Sequence, residues 1–568
     1  MHLRSIFGGP KPLLKRVETR IAIASFMILF LELALIRWLA AYILHLAYFS
    51  NLVLLASFFG IGLGFLLSRK KHVFSWFPLL LAACVGVVTL RLDVSFLSPQ
   101  ALYFQDLSQF RNSQPLWLIA PFLFAFVTAV FVGPAQVLGA LFREAPPLTA
   151  YTWDLVGSIA GSATFAALSA AGIGPVAWFA VIAAAYLALR GRDIAAHAVR
   201  DAVAFIIQFS LLIVITSGTI WSPYYKLMVV PTLSDDNVRN GYAIYANETG
   251  HQTMQRPEDK EWVYQAPYAF FAHPQYRNAL IIGAGSGSDV AIALEKGVSD
   301  IDAVDIDPTI VAIGRALHPS HPYQDARVHP TIADGRTFLE RSGKKYDLIV
   351  FALTDSLALA SSYSNTRLES YLFTKESFER AKERLAPGGL LVLYNYYREQ
   401  WLVDKLSGML KSVFGQDPYV VIPAAEDAEL AAIMVGPKLG DLAADAPPSA
   451  PINGAYRPAT DAWPFVYMTK PGFPGMYATV LGGILLLCLG AVLLLRRDVI
   501  KARSFPWHYF FLGAGFMLVE TKNVINFQLL FGSTWLVNAL VVMAILGLVL
   551  AAVLLTRSGV RVKRDVLY

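Results

Sequence analysis

The sequence predicts a membrane α-helical bundle of about ten spans, into which an α/β Rossmann-like domain, preceded by a small β region, is inserted. Two observations lead to this fold class. The 568 residues are 56% hydrophobic and only 15% charged, with a mean hydropathy of +0.50, which is typical of multi-span membrane proteins. One central stretch, residues 279–307, has instead the order strand, glycine-rich turn, helix, strand and acid of a nucleotide-binding fold.

Apolar runs divide the chain into four parts. Most runs are about 17–25 residues long, enough to cross the hydrocarbon core of a bilayer. They lie at 21–45, 51–67, 74–90, 116–142, 153–171, 173–189, 202–221, 477–495, 507–531 and 535–555. We therefore expect an N-terminal membrane block of about seven spans at 1–221 and a C-terminal block of about three spans at 475–568. Between them we expect a soluble domain at 222–440 and an Ala/Pro/Asp-rich linker at 441–474.

Basic residues in the loops indicate the orientation of the chain. They cluster before the first run and after the second, sixth, eighth and tenth runs, as in Arg69-Lys70-Lys71. If every run spans, all of these clusters lie on one side, so we expect a multi-pass protein of the cytoplasmic (inner) membrane with both termini in the cytoplasm. The same parity suggests that the soluble domain is extracytoplasmic. The ligands of nucleotide-binding folds are cytosolic metabolites, and an extracytoplasmic domain would be separated from them. The side of this domain is therefore left open.

The glycine-rich turn indicates the class of ligand. Gly283, Gly285 and Gly287 follow the apolar strand at alternate positions, where they let the backbone turn tightly and approach a ligand. In dinucleotide-binding folds the third glycine comes one residue later, so that the helix N-terminus meets a pyrophosphate. The spacing here favours a ligand with ribose and adenine but no phosphate, such as S-adenosylmethionine. Asp305 and Asp307, at the end of the next strand, are positioned to accept the ribose hydroxyls.

The remainder of the soluble domain has the pattern of a small β region and an α/β core. Residues 227–232 and 242–245 predict two short strands of the β region. The core is predicted to have five strands, centred near Leu280, Ile301, Val328, Leu348 and Leu390. A helix is predicted at 375–385, followed by a turn at 387–389 that ends this helix and starts the fifth strand.

Seven short motifs give the soluble domain a family resemblance. They are Ser222-Pro223-Tyr224-Tyr225, Gly283-Ala284-Gly285-Ser286-Gly287, Val304-Asp305-Ile306-Asp307, Arg327-Val328, Ala333-Asp334-Gly335-Arg336, Tyr346-Asp347-Leu348-Ile349 and Leu385-Ala386-Pro387-Gly388-Gly389. In these motifs and their order the domain resembles the spermidine synthase (polyamine aminopropyltransferase) family. The flanking membrane blocks resemble those of bacterial proteins in which this domain is fused to a membrane-embedded region.

The resemblance implies a site for S-adenosylmethionine or decarboxylated S-adenosylmethionine as donor substrate. Gln252 matches the family glutamine that reaches the ligand, and Asp305 matches the acid that binds the ribose. Asp334 and Gly335 lie where the family holds the adenine. The expected donor-binding residues are therefore Gln252, Gly283, Gly285, Gly287, Asp305, Asp307, Asp334 and Gly335.

The amine side of the family site is altered. The family's acid within the glycine loop is Ser286 here, its Tyr-His-Glu element is Tyr264-Gln265-Ala266, and its catalytic aspartate position is Ala352. Only the second acid of that pair is present, as Asp355, which is the candidate catalytic residue. Aminopropyl transfer requires a carboxylate to hold the amine and accept its proton. Methyl transfer depends more on aligning donor and acceptor, so the sequence favours methyl transfer.

Three functions stay open. The first is a membrane-embedded transferase that acts on a small-molecule or lipid-linked acceptor at the lipid bilayer. The second is a transporter-like membrane protein whose domain binds a nucleoside or polyamine without catalysis, because charged residues such as Glu32 and Glu520 lie within predicted spans. The third is a true spermidine synthase. The sequence gives no indication of the oligomeric state.

Two classes of partner are not expected. The net charge of +6 is spread over short loops, which indicates membrane topology and not a nucleic-acid surface. His318, His321 and His329 have no accompanying carboxylate pattern, and both cysteines lie inside apolar runs. The sequence therefore predicts neither nucleic-acid binding nor a metal site.

Overall fold

A computed structural model gives the architecture of the chain. It describes residues 16–43, 51–70, 73–90, 94–95, 114–190, 197–233, 239–352, 371–397, 399–422, 430–472, 475–495, 507–532 and 534–558. Within these residues, helices make up both ends of the chain, and an α/β domain with two main sheets lies between them.

The described part of the N-terminal region forms seven helices, of which the first is buried among its neighbours. They are α1 (Val17–Tyr42), α2 (Asn51–Leu66), α3 (Phe77–Thr89), α4 (Leu116–Phe142), α5 (Pro147–Ala170), α6 (Pro175–Arg190) and α7 (Ala198–Thr216). Two short strands, β1 (Val94–Ser95) and β2 (Gln114–Pro115), pair before α4. Helix α1 is apolar on all sides, so it is buried among its neighbours. A Cβ at Gly161 of α5 would lie 2.7 Å from the Phe26 carbonyl oxygen of α1, which shows how closely these two helices approach.

Three further helices follow the α/β domain in the described residues. The helices of the central domain are numbered α8 to α13 below. The three that follow are α14 (Gly475–Leu495), α15 (Trp507–Phe531) and α16 (Trp535–Arg557). All ten predicted apolar runs thus contain a helix. Five helices in the described residues are long and apolar enough to cross a membrane: α1, α4, α7, α14 and α16. The others are shorter or more polar, so the count of about ten spans stays a prediction.

The small β region is a four-stranded antiparallel sheet. Its strands are β3 (Thr219–Trp221), β4 (Lys226–Leu233), β5 (Arg239–Ala246) and β6 (Thr249–Gln255), in that order. The sequence predicted β4 and β5 but not their outer neighbours. The sheet packs through Leu227, Ile244 and Met254 against Ile310 of the α/β core, so it forms one wall beside that core.

The α/β core is built on a seven-stranded sheet in the order β12-β13-β11-β10-β7-β8-β9. The strands are β7 (Asn278–Ile282), β8 (Asp300–Asp305), β9 (Val328–Ile332), β10 (Tyr346–Ala352), β11 (Leu385–Tyr396), β12 (Tyr419–Val421) and β13 (Leu430–Val435). The helices are α8 (Trp262–Ala269), α9 (Ser288–Glu295), α10 (Pro308–Leu317), α11 (Gly335–Arg341), α12 (Lys375–Arg384) and α13 (Gln400–Phe414). Strands β7 to β11 are parallel, and β13 is antiparallel to both its neighbours.

The strand order fixes where a ligand can bind. Strand β7 is the first of the parallel strands, and it lies between β10 on one side and β8 on the other. The chain therefore reverses its direction of winding at β7. In open α/β sheets this switch point, at the carboxyl ends of the strands, is where ligands bind. The glycine-rich turn after β7 lies at this point.

The turn predicted at 387–389 is instead an irregularity inside β11. Strand β11 begins at Leu385, directly after α12 ends, and Leu385 pairs with Tyr346. The next pair is Leu390 with Leu348, so β11 has three extra residues at this position. Gly388 has a φ of +80°, which a glycine adopts without strain. Because proline has no amide hydrogen for the ladder, Pro387 fits only such a bulge within a strand.

The stretch expected as a linker packs against the α/β core. Ala459 and Val466 are fully buried in the cluster that also contains residues of β10 and α13. Asp461 accepts two hydrogen bonds from the Arg336 guanidinium of α11, at 2.5 and 2.7 Å. The buried Lys405 ammonium of α13 donates to the Phe465 carbonyl at 2.9 Å. Composition pointed to a linker because prolines and alanines form no periodic pattern here, but these side chains hold the segment in place.

Candidate functional site

The glycine loop between β7 and α9 is a tight turn anchored to β8. Gly283, Gly285 and Gly287 have φ values of +78°, +54° and +101°. Side chains with a Cβ disfavour this left-handed region, so the conformation requires glycine. The amide of Gly283 donates to the Val304 carbonyl at 2.8 Å. The amide of Ala284 donates to the same carbonyl at 3.1 Å, so the loop is fixed to the end of β8 at the carboxyl edge of the sheet.

Gln252 lies directly against this loop. Its Oε1 accepts a hydrogen bond from the Ser286 amide at 2.9 Å. A Cβ at Gly285 would come within 2.7 Å of Gln252 Cδ, so the side chain packs where only glycine leaves room. The neighbouring His251 is buried, which lowers its pKa to about 4, so its imidazole is neutral at pH 7. Gln252 thus joins the small β sheet to the glycine loop at the predicted donor site.

Asp305, at the end of β8, binds the glycine loop through its carboxylate. Its Oδ2 accepts from the Gly285 amide at 2.7 Å, and its Oδ1 accepts from the Asp307 amide at 2.8 Å. Burial raises the pKa of Asp305 to about 6, so the carboxylate is ionised at neutral pH. A carboxylate has about four lone-pair directions. Since the Ile306 backbone also hydrogen-bonds this carboxylate, about one of these directions is left for a further donor, such as a ribose hydroxyl.

The other predicted acids occupy helix N-termini at neighbouring strand ends. Asp307 caps α10, where its carboxylate accepts from the Thr309 amide at 2.8 Å. Asp334 caps α11 and accepts from the Thr337 amide at 2.9 Å. These contacts explain the two acids as helix caps. Gly335 lies beside Asp334 and against Ile282 of β7, where a Cβ would overlap the isoleucine side chain.

A tyrosine of the small β region brings the three acids together. Burial raises the pKa of the Tyr224 hydroxyl above its usual range, and the nearby carboxylates of Asp307, Asp334 and Asp305 raise it further. One buried hydroxyl group therefore interacts with all three acids. The predicted donor residues Gln252, Gly283, Gly285, Gly287, Asp305, Asp307, Asp334 and Gly335 all lie along one edge of the sheet. Asp355 lies outside the described residues.

The predicted amine side contains none of the expected acids at the positions that the structure describes. Ser286, Ala266 and Ala352 are all buried. Ala352 ends β10 and pairs in register with Tyr394 of β11. The rings of Tyr394 and Tyr264 lie 5.3 Å apart between their centroids. This face of the sheet is therefore lined by tyrosines at the place where the resemblance implies carboxylates.

A carboxylate that the sequence analysis missed lies on this face. Asp289, in the first turn of α9, is half-buried and accepts a hydrogen bond from the Tyr394 hydroxyl. Burial raises its pKa to about 6. In the sequence, Asp289 is only the start of the helix that is expected after the glycine-rich turn. The available signal was an acid directly followed by the apolar residues 290–294, which indicates a buried helix face.

A buried lysine lies beside this acid. The Lys260 ammonium lies 3.1 Å from the Glu261 carboxylate and donates to Thr253 Oγ1 at 2.9 Å. It also lies 4.4 Å from the centroid of the Tyr264 ring, a cation–π geometry. Lys260 also attracts the Asp289 carboxylate, so Asp289, Lys260 and Glu261 together have a net charge of −1 in a tyrosine-lined environment.

The described residues contain no group of three or more His, Cys, Asp or Glu side chains that could hold a metal ion. His318 is buried, and its Nδ1 accepts from the Ser320 amide at 3.1 Å. His329 lies 3.3 Å from Asp300 at the far end of the sheet. His318 and His329 are therefore held by different local contacts, and His321 lies in the loop that follows α10.

Comparisons with known proteins give the family of the central domain. Residues 264–425 match the family model of the spermine/spermidine synthase domain. The polyamine aminopropyltransferase of Pyrobaculum calidifontis is 29% identical over 185 residues, which cover 30% of this chain and 57% of that protein. The enzyme of the same name from Escherichia fergusonii is 30% identical over 173 residues, which cover 28% of this chain and 57% of that protein.

The chain spans about half the length of the curated relatives that it matches, between 49% and 57% for these two and a Shigella flexneri relative. Among solved structures, spermidine synthase from Thermotoga maritima is 17% identical in sequence. The match covers 46% of this chain and 87% of that chain, with a TM-score of 0.30. Residues 264–425 of this chain are therefore a spermidine synthase domain, which the chain carries together with several apolar helices outside that domain.

Proposed function

We propose that this protein is a membrane-embedded transferase that binds S-adenosylmethionine or its decarboxylated form, and that it transfers a methyl group in preference to an aminopropyl group. One observation supports this most strongly: the glycine loop, Gln252 and Asp305 form a hydrogen-bonded cradle at the switch point of the sheet. The acids of the amine side are absent from the corresponding described positions. The proposal thus keeps the donor site of the family and changes the reaction.

The donor class follows from the cradle and from the relatives. Curated relatives are named polyamine aminopropyltransferases, and one solved spermidine synthase is described in complex with the transition-state analogue AdoDATO. A sulfonium nucleoside offers two ribose hydroxyls to Asp305 and no phosphate to the helix N-terminus. Asp305 is ionised above its pKa of about 6, so it accepts one of these hydroxyls at neutral pH.

The amine side supports methyl transfer. An amine acceptor is an ammonium ion at neutral pH, and it must lose a proton before it attacks the sulfonium carbon. Ala352, Ala266 and Ser286 offer no carboxylate to hold or deprotonate it. A polyamine carries two or three positive charges, whereas Asp289, Lys260 and Glu261 together give this face a net charge of only −1. One carboxylate instead matches the single ammonium group of the donor tail.

The proposed reaction is an in-line displacement. A lone pair of the acceptor atom forms a bond with the methyl carbon, while the carbon–sulfur bond breaks and its electron pair stays on sulfur. The sulfonium becomes a neutral thioether, and the acceptor proton passes to a base. Asp355 is the proposed base, although it lies outside the described residues. Most of the rate would come from alignment of donor and acceptor in the cradle.

The apolar helices support an acceptor met at the bilayer. Leu485, Leu486 and Leu494 of α14 are about 70% exposed, at 68%, 71% and 73%. An apolar surface of this kind is stable in lipid but not in water. We propose that the chain lies in the inner membrane with both termini in the cytoplasm. A lipid-linked or small acceptor would then reach the carboxyl edge of the sheet from the membrane side.

A transfer assay tests this function. The purified full-length protein, in vesicles of bacterial lipid extract, is incubated with S-adenosylmethionine labelled on the methyl group, and separately with decarboxylated donor labelled on the aminopropyl group plus putrescine. We expect methyl label in the lipid or small-amine fraction and no labelled spermidine. We also expect Asp355→Asn to lower methyl transfer by about 100-fold, the scale of general-base catalysis.

Two outcomes of this assay contradict the proposal. Labelled spermidine would make the protein a true spermidine synthase despite Ala352. Donor binding without transfer of either label would favour a non-catalytic binding domain. Asp417→Asn is the matched control for Asp355→Asn, because Asp417 is an exposed acid paired with Lys411, away from the sheet edge.

A further inference from the structure

The corner between the last two helices lies against the donor site. This corner, defined by Gly532, Thr534 and Trp535, connects α15 to α16. Gly532 is buried with a φ of +94°, and a Cβ there would lie 2.8 Å from Asp334 Cβ and 2.8 Å from Thr337 Oγ1. The corner therefore contacts Asp334 and the first turn of α11, where the family resemblance implies that the adenine is held.

The same corner also contacts the small β region. Trp535 packs against the buried cluster that contains Tyr224 and Ile310. Its backbone forms a hydrogen bond with the Tyr224 hydroxyl, the group that interacts with Asp305, Asp307 and Asp334. The corner thus reaches the group of Asp305, Asp307 and Asp334 at two points. Gly532 contacts Asp334, and Trp535 contacts Tyr224.

A second membrane-block contact reaches the site from the first helix. The Arg37 guanidinium of α1 lies between the rings of Trp178 and Trp221, at 5.2 and 5.3 Å from their centroids. It donates to the Ser222 carbonyl, and the Ser222 side chain hydrogen-bonds the Asp307 carboxylate. Arg37 also interacts electrostatically with Asp307. The predicted charged residue of the first span is therefore connected to the donor site.

We propose that the α15–α16 corner is part of the donor site, so that the C-terminal helices complete the adenine end of a cradle that the α/β domain forms only in part. This inference rests on the proposed function, because it needs a nucleoside to bind at Asp305 and Asp334. A ligand held by both the corner and the domain binds more tightly when the corner is in place. By linkage, the ligand also stabilises the position of the corner.

Binding of methylthioadenosine to two glycine variants of the full-length protein tests the proposal. In Gly532→Val the new side chain overlaps Asp334 and Thr337, so the corner must move away. Gly547→Val is the matched control in α16, where a Cβ would meet open space. We expect the Kd from titration calorimetry to rise at least tenfold in Gly532→Val and to stay within twofold of the unchanged protein in Gly547→Val.

Hydrogen exchange of the unchanged protein gives a second readout that does not depend on the folding of a variant. We expect methylthioadenosine to slow exchange at the amides of 534–538 and to leave 547–553 unchanged. If the unchanged protein binds the nucleoside without protecting 534–538, or if Gly532→Val binds it equally well, this inference is wrong and the proposed function is intact. If the unchanged protein binds no nucleoside, the proposed function fails, and this inference fails with it.

Discussion

Replacing Gly285 with alanine is expected to weaken nucleoside binding, so that the Kd for methylthioadenosine rises by about 100-fold. Two effects add. Gly285 has a φ of +54°, which alanine adopts only with strain, and its new Cβ would lie 2.5 Å from Gln252 Oε1. Relief of this overlap separates Gln252 from the Ser286 amide and displaces the amide that Asp305 binds at 2.7 Å. Titration calorimetry with the full-length protein measures the loss.

Gly297→Ala is the matched control for this prediction. Gly297, in the turn after α9, has a φ of +84°, so alanine is strained there as well. A Cβ at Gly297 would meet no atom within 4 Å. Equal loss of affinity in both variants would show that backbone strain alone is responsible. Unchanged affinity in Gly285→Ala would mean that the nucleoside does not bind in this loop.

Replacing Asp289 with asparagine is expected to stabilise the protein at pH 7.5 and to weaken the binding of donors that carry an ammonium tail. Burial raises the pKa of Asp289 to about 6, against an ordinary value near 4. The folded state therefore binds more protons than the unfolded state between these values, and the stability present at pH 4 is lost as the pH rises through 6. The charged form costs about 3 kcal/mol at neutral pH.

Thermal unfolding at two pH values measures the first effect. Asparagine retains an oxygen for the Tyr394 hydroxyl and carries no charge, so the midpoint of Asp289→Asn should exceed that of the unchanged protein at pH 7.5 and approach it near pH 4. A lower midpoint at pH 7.5 would mean that the attraction of Lys260 for the Asp289 carboxylate outweighs the cost of burying its charge.

Titration with two ligands measures the second effect. S-adenosylmethionine has an ammonium group in its tail, whereas methylthioadenosine has no charged tail. We expect Asp289→Asn to weaken S-adenosylmethionine by about tenfold, the scale of a hydrogen bond to a charged group, with little change for methylthioadenosine. Asp302→Asn is the control, since Asp302 also accepts from a tyrosine hydroxyl, that of Tyr346 at 2.8 Å, but it lies within β8 and pairs with Lys344 at 2.9 Å. Equal effects on both ligands would exclude contact between Asp289 and the tail.

The sequence predicted the parts of the fold that have strong local patterns. The strand, glycine loop, helix and acid at 279–307 correspond to β7, α9, β8 and Asp305 because the apolar runs and the glycines specify each step locally. The antiparallel strands β12 and β13 were not predicted. Their apolar residues, such as those of Leu430–Val435, have no alternating pattern, since both faces of the strand are buried.

Features that depend on distant partners could not be predicted. The stretch at 441–474 has the composition of a linker, and only the partners of Asp461 and Phe465 on α11 and α13 show why it is ordered. Asp289 is a single acid in a helix until Tyr394 of β11 is seen beside it. The contact of Gly532 with Asp334 joins residues far apart in the chain, and no local pattern indicates it.

The most direct test of the account is isothermal titration of the full-length protein with S-adenosylmethionine, its decarboxylated form and methylthioadenosine, with Asp305→Ala as the comparison. Asp305 holds the Gly285 and Asp307 amides and is the proposed partner of the ribose. We expect the unchanged protein to bind at least one of the three nucleosides and Asp305→Ala to bind none in the same concentration range. Absence of binding by all three ligands to the unchanged protein, or equal binding by Asp305→Ala, would contradict the assignment of a donor site to this domain.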